Sequence, residues 1–270
     1  MHNSLWVGGS IGRRGFPMLG TGKRGLSTYI KDIFKNGEQG FFYDPNDLST
    51  MWQDQAKLLP VTGAGQPVWH ILDKSGNNNH AFATSSATRP ILRQNAITGA
   101  YYLAFDGADD FLVTNNIDFT ATNKVTTITA INTLGSTGCV LETGTNVVNT
   151  NGTFGLFRGG KLQFGARGTV YRLINMDDVA LPEVLVAKAD IENAKLSVYK
   201  NRQPFSTMDQ SLGLGNFGNY PLYIGRRAGT SLAFNGHIYS LIGIGRLTTD
   251  SETAALEKAI AKNTGVTLNV

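Results

Sequence analysis

From Phe41 to the region of Ile244 the sequence is interrupted by Gly, Asn, Asp or Pro at intervals of roughly eight to twelve residues. That cadence excludes most architectures. A stable helix needs a longer uninterrupted run, and a parallel sheet needs helical crossovers between its strands. The segments left between the breakers are β-prone: 41–43, 68–72, 100–105, 111–114, 125–131, 139–142, 154–157, 161–166, 169–174, 184–189, 195–200, 222–225 and 236–245. Val125–Ile131 alternates with period two, as a strand buried on one face does. Asp47–Trp52 reads as a short helical turn, and Asp106-Gly107 between two apolar runs reads as a hairpin. The expected fold is all-β, an antiparallel two-sheet sandwich. Apolar residues at 41% are ample for its core.

A helix is expected only near the end of the sequence. Thr249-Asp-Ser-Glu252 has the spacing of a capping box, Ala255, Leu256, Ala259 and Ile260 make one apolar stripe, and Gly265 follows as a stop.

Residues 1–40 differ from the rest. Arg13, Arg14, Lys23, Arg24, Lys31 and Lys35 face only Asp32 and Glu38 there, so this segment carries the whole net charge of +4. Nine of the 32 glycines lie in it as well, which raises the entropic cost of ordering it. The reading is an extended basic arm over 1–40 that orders against a partner, followed by one sandwich domain over 41–270. Leu5, Trp6 and Phe16, with Arg13, Arg14, Lys23 and Arg24, are the expected anchor residues. The apolar members favour a protein assembly over nucleic acid, since a phosphate-binding tail needs only the cations. The first residues lack the shape of a signal peptide and no apolar run is long enough for a span, which points away from secretion and membrane insertion.

Few catalytic chemistries have a foothold. Gly20-Thr-Gly22-Lys-Arg-Gly25 spells a dinucleotide motif, but no strand precedes it and no βαβ unit follows. Lys23 is followed by Arg24, so it is not a P-loop either. Cys139 is the single cysteine, and His2, His70, His80 and His237 have no ligand spacing, which argues against zinc. Cys139 beside Val140 and Leu141 reads as a buried thiol. No strand carries an alternating triplet of carboxylates for glycoside hydrolysis. The nearest approach, Asp190-Ile-Glu192, reads as a hairpin end.

Three further segments, in this order, carry a resemblance: Asp73-Lys-Ser-Gly-Asn-Asn-Asn-His80, Arg89-Pro90, and Leu103-Ala-Phe-Asp-Gly-Ala-Asp-Asp-Phe-Leu112. Phe234-Asn-Gly-His-Ile-Tyr239 before a final helix agrees with it. Together they resemble concanavalin A-like, laminin-G-type jelly-roll modules. With Tyr43-Asp-Pro-Asn-Asp-Leu-Ser-Thr50 in front, the chain looks like the form found in bacteriophage virion proteins. The resemblance covers roughly 41–268 and implies a jelly-roll sandwich, a virion location, symmetric self-association and other virion proteins as partners of the arm. It does not fix a function, because the fold hosts lectins, glycosidases and inert modules.

Three readings follow, in order of preference. The first is a non-enzymatic, attachment-associated virion protein that engages host-surface polysaccharide. Aromatic faces flanked by polar donors suit sugars, and Trp52, Trp69, Tyr101, Tyr102, Tyr171, Tyr220 and Tyr223 supply them. Tyr220, in the loop 215–221, with Asn219, Arg226 and Arg227, is the expected site. The second is a structural decoration subunit without a ligand. The third, more distant, is a glycan-cleaving enzyme. The only cofactor considered is calcium at Asp106, Asp109 and Asp110, since hard cations favour clustered carboxylates and laminin-G-type modules bind calcium at loop ends.

Overall fold

The computed structural model describes residues 26–177 and 182–269. Helix α1 (Leu26–Ile33) leads into β1 (Gly40–Tyr43), then come the short strands β2 (Met51–Trp52), β3 (His70–Ile71), β4 (Ala81–Phe82) and β5 (Ile91–Gln94). Longer strands follow: β6 (Tyr101–Asp106), β7 (Leu112–Asp118), β8 (Lys124–Thr133), β9 (Thr137–Thr143), β10 (Thr153–Gly159) and β11 (Lys161–Arg167). The chain ends with β12 (Tyr171–Met176), β13 (Glu183–Asp190), β14 (Lys195–Lys200), β15 (Gln203–Asp209), β16 (Asn219–Ile224), β17 (Asn235–Ile244) and helix α2 (Asp250–Thr264). All pairings are antiparallel.

Two sheets form a sandwich, as expected. An eight-stranded sheet runs β15-β14-β13-β8-β17-β6-β5, with β1 also on β17. A nine-stranded sheet runs β12-β11-β10-β9-β16-β7-β4-β3-β2. Alternate residues of each strand face the other sheet, so Met51, Ile71, Leu112, Leu141, Phe154, Phe164, Leu222, Leu185 and Leu241 meet in one apolar layer.

The Asp106-Gly107 turn is not the expected hairpin. β6 belongs to the eight-stranded sheet and β7 to the nine-stranded one, so the turn carries the chain across the sandwich. Its carboxylates explain this locally. Asp106 accepts the N–H of Ala108 and Asp110 accepts the N–H of Asp106, which closes the turn on itself and leaves those groups out of a ladder.

The arm also needs correction. Residues 26–40 are not extended: Leu26–Ile33 is helical, and Ile30 and Ile33 are buried on the outer face of the eight-stranded sheet beside Leu256, Ile260 and Ala261 of α2. Their i, i+3 spacing, with Leu26 one turn earlier, makes an amphipathic stripe, and burying each isoleucine contributes about 1.5–3 kcal/mol. Arg246 ties the two helices together. It donates to the Ile33 carbonyl at 3.1 Å, to Glu252 at 2.8 Å through two nitrogens, and to Glu38 at 3.1 Å. Glu252 is at the same time the acid of the α2 capping box, and Gly265 closes the helix in the left-handed region, both as expected. The anchor residues Leu5, Trp6, Arg13, Arg14, Phe16, Lys23 and Arg24 lie outside the described residues.

Both helices cover the same sheet. The outer face of the nine-stranded sheet carries no helix among the described residues.

Candidate functional site

Tyr220 lies within β16 rather than in a loop, opposite Ile117 of β7. The ring rests on Gly218, where a Cβ would come within 2.1 Å of its Cε2, and beside Gly144, where a Cβ would lie 3.5 Å from its Cγ. Any side chain at Gly218 would lift the ring from its seat. Asn219 is exposed next to it, and its carbonyl accepts from the Asn116 amide at 3.3 Å. The rim around them is held by backbone bonds from Gly218 N–H to the Gly152 carbonyl (2.8 Å) and from Gly152 N–H to the Gly168 carbonyl (3.0 Å). The result is a half-buried tyrosine seated against Gly218 at one strand end, with an exposed asparagine as its neighbour along the strand.

The two arginines expected at this site have other partners. Arg227 grips the Glu142 carboxylate with Nε at 2.7 Å and Nη2 at 3.0 Å, and its guanidinium stands 5.4 Å over the Phe157 ring. Glu142 is fully buried and also accepts the Val147 N–H at 2.7 Å. A bidentate pair around a desolvated carboxylate is an internal staple, since neither charge is available without exposing the other. Arg226 reaches across its own turn to the Thr230 carbonyl at 3.3 Å. Burial pushes the nearby Tyr171 hydroxyl up to about 12 and raises the buried Cys139 thiol well above its ordinary range, so neither is a ready nucleophile. Sequence reasoning missed Glu142. The signal was there, a lone acid inside the apolar run Cys139-Val-Leu-Glu142, but its partner lies 85 positions away.

Asp106, Asp109 and Asp110 do come together. One carboxylate oxygen from each lies within 4.8 Å of the others. Calcium binds oxygen at about 2.3–2.6 Å, so ligands on opposite sides of one ion stand about 5 Å apart and the spacing fits. Burial, then the charges of Asp106 and Asp109, pushes the Asp110 carboxyl up to about 7, and the single N–H it accepts, from Asp106, only partly offsets them. The turn therefore favours a proton or a cation.

The Asp73 loop is different. Its carboxylate accepts the N–H groups of Phe42 (2.8 Å), Ser75 (2.9 Å) and Asn79 (3.0 Å) and the Ser75 hydroxyl (2.7 Å), while Gly76 supplies a φ of +97°. His80 Nδ1 accepts the Asp73 N–H at 3.1 Å. Asp190 ends β13 with its oxygens on Asn193 at 3.0 and 2.8 Å, and Glu192 pairs with Lys124, so this pair forms the hairpin end the sequence suggested.

No family model matches the sequence, and no curated protein matches it. Solved structures do resemble the fold. An arabinofuranosidase complexed with arabinofuranosyl-alpha-1,2-xylobiose superposes with a TM-score of 0.62 at 10% identity, over 87% of this chain and 65% of its own. A structure of botulinum neurotoxin type C, described as dependent for cell entry on two ganglioside molecules, gives 0.55 at 10% identity over 86% of this chain and 53% of its own. The binding domain of botulinum neurotoxin DC in complex with SialylT gives 0.52 at 12% identity over 70% and 48%. The chain thus spans about half the length of the toxin structures it matches. At these identities the likeness establishes the jelly-roll sandwich.

Proposed function

We propose that this chain is a non-enzymatic carbohydrate-recognition sandwich, carried by its basic leader in a larger assembly of the phage-virion kind and presented there in several copies to surface glycans. The observation that carries the reading is half-buried Tyr220 seated against Gly218 at the start of β16, next to exposed Asn219, an aromatic ring and a polar amide at one strand end of the kind sugar sites use. Sandwiches of the same fold have been solved with sugars, including the arabinofuranosidase with its arabinofuranosyl-xylobiose and the toxin domain with SialylT. Arg226 and Arg227 are left out of the site because their hydrogen bonds go to Thr230 and Glu142. Calcium is proposed for the Asp106–Asp110 turn, where it replaces the proton on Asp110 and stiffens the crossover.

The test is a glycan array probed with the full chain and with Tyr220→Ala. Binding that Tyr220→Ala abolishes supports the reading; silence of the wild-type chain at millimolar glycan ends it and leaves a purely structural subunit. A cleaving enzyme is the second reading, favoured by the arabinofuranosidase likeness alone. Turnover of any arrayed polysaccharide, lost in Asp190→Asn or Glu192→Gln, would revive it. For the leader, deletion of 1–25 should abolish incorporation into particles while the sandwich stays folded, because helix Leu26–Ile33 and both sheets are retained.

A further inference from the structure

On the nine-stranded sheet the register aligns one transverse row. Trp52 pairs with His70, His70 with Phe82, Phe82 with Val113, Val113 with Tyr223, and Tyr223 with Glu142. Their sequence neighbours Met51, Ile71, Ala81, Leu112, Leu222 and Leu141 are core residues, so the row points away from the core, on the face without a helix. Trp52, His70, Phe82 and Tyr223 are all half-buried, while Val113 between Phe82 and Tyr223, and Glu142 at the end of the row, are buried. Strands lie about 4.8 Å apart, so from β2 to β16 the row runs about 19 Å, perpendicular to the strands.

We propose that this row is a groove for an extended neutral polysaccharide chain, whose successive sugars lie on Trp52, Phe82 and Tyr223. The inference rests on the glycan-binding reading above and places a second, longer subsite away from Tyr220.

The charge balance selects the occupant. Asp54, in the loop beside Trp52, gives its carboxylate to the N–H groups of Leu58 and Leu59 at 3.1 and 2.8 Å. At the other end of the row Glu142 and Arg227 neutralise one another. His70 is fixed through Nε2 on the Gln55 carbonyl at 3.0 Å, and burial, with Lys57 adding to it, lowers its pKa, so the ring is uncharged at neutral pH. Lys57 is exposed with its ammonium 5.8 Å from the Trp52 ring centre, a contact a bound sugar can displace at a cost of about 0.5–1 kcal/mol. Among the described residues, an anionic chain finds no cluster of cations along the row, only Lys57 at one end. A neutral chain finds rings on three strands, on Trp52, Phe82 and Tyr223.

The experiment is calorimetric titration of the full chain with xylohexaose, cellohexaose and laminarihexaose, each beside its disaccharide. At least one hexasaccharide should bind ten or more times tighter than its disaccharide, since only it reaches from Trp52 to Tyr223. Trp52→Ala and Tyr223→Ala should each weaken it about tenfold, an aromatic contact's usual worth, while the conservative Trp52→Phe keeps the length dependence. Thermal unfolding of each variant checks the fold, and His70→Ala is the milder substitute if Trp52→Ala unfolds. Equal affinity for hexa- and disaccharides, or hexasaccharide binding that ignores Trp52 and Tyr223, overturns the groove. Binding of acidic glycans alone on the array overturns the groove and leaves the wider reading standing. No binding of any glycan overturns both.

Discussion

Two loops in this molecule each open on an aspartate with a left-handed glycine close behind it, and their carboxylates end in opposite states. In the Asp73 loop one carboxylate meets three backbone N–H groups and a hydroxyl, and in doing so pins β1 to the loop through Phe42. In the Asp106–Asp110 turn three carboxylates crowd together, and the most buried of them accepts one N–H. What separates the two loops is the balance of donors and like charges around the carboxylate, four donors and no second acid in the first loop, one donor and two neighbouring acids in the second. A carboxylate saturated with N–H groups is a fold staple, and one short of donors among like charges waits for a proton or a metal ion. Glu142 extends the first class, with an arginine supplying most of the donors.

Four perturbations test that contrast, from the largest effect down. Arg227→Ala strips Glu142 of its counter-charge while leaving it buried, and should cost about 3–5 kcal/mol in chemical denaturation. Pairing it with Glu142→Gln should recover much of the loss. Asp73→Ala removes the acceptor of four bonds and should cost about 2–4 kcal/mol, with early hydrogen exchange at Phe42 and Asn79. A cost below 1 kcal/mol would erase the distinction between the loops. Millimolar calcium should raise the melting temperature by the equivalent of about 1–3 kcal/mol for a site of extracellular-module affinity, and Asp110→Asn should abolish that gain. Asp110→Asn without calcium at pH 8 should stabilise slightly, by up to about 1 kcal/mol, the opposite sign to Asp73→Ala.

The pH dependence follows from the same carboxyl group. The Asp110 pKa is raised in the folded state to about 7 from 3.8, so its contribution favours folding below about pH 4 and is lost as pH rises towards 7. Calcium should therefore stabilise more at pH 8 than at pH 5. Thermal melts at both pH values, with calcium or chelator, show whether it does. Glu252 runs the other way: its pKa is held at about 2 by Arg246, and its contribution is present above about pH 4.5 and lost as pH falls towards 2.

Much of this fold is written in local chemistry. Turn residues and period-two alternation located most strands, and the capping box and left-handed Gly265 located α2, because each of those signals is complete within a few residues. β15 escaped because Pro204 reads as a breaker, yet β15 is the edge of its sheet, where proline is tolerated and most side chains face solvent. α1 escaped because the glycines and cations before it dominated the composition of 1–40, while Leu26, Ile30 and Ile33 show a stripe that only α2 and the sheet make worth burying. The Asp106-Gly107 turn was legible as a turn, but nothing within it says which sheet receives the next strand. The candidate site divides in the same way. Tyr220 and the acidic turn were readable as residues, whereas the fate of Arg227 and the alignment of Trp52 with Tyr223 depend on pairings across the whole chain.

The seat of α1 has a consequence for how the molecule can be mounted. Leu26 lies on the helix-clad side of the sandwich, so the described chain begins on the face opposite the bare sheet. Nothing helical among the described residues stands between that sheet and solvent, so the side of the body where the chain starts and the side left open are not in competition for space.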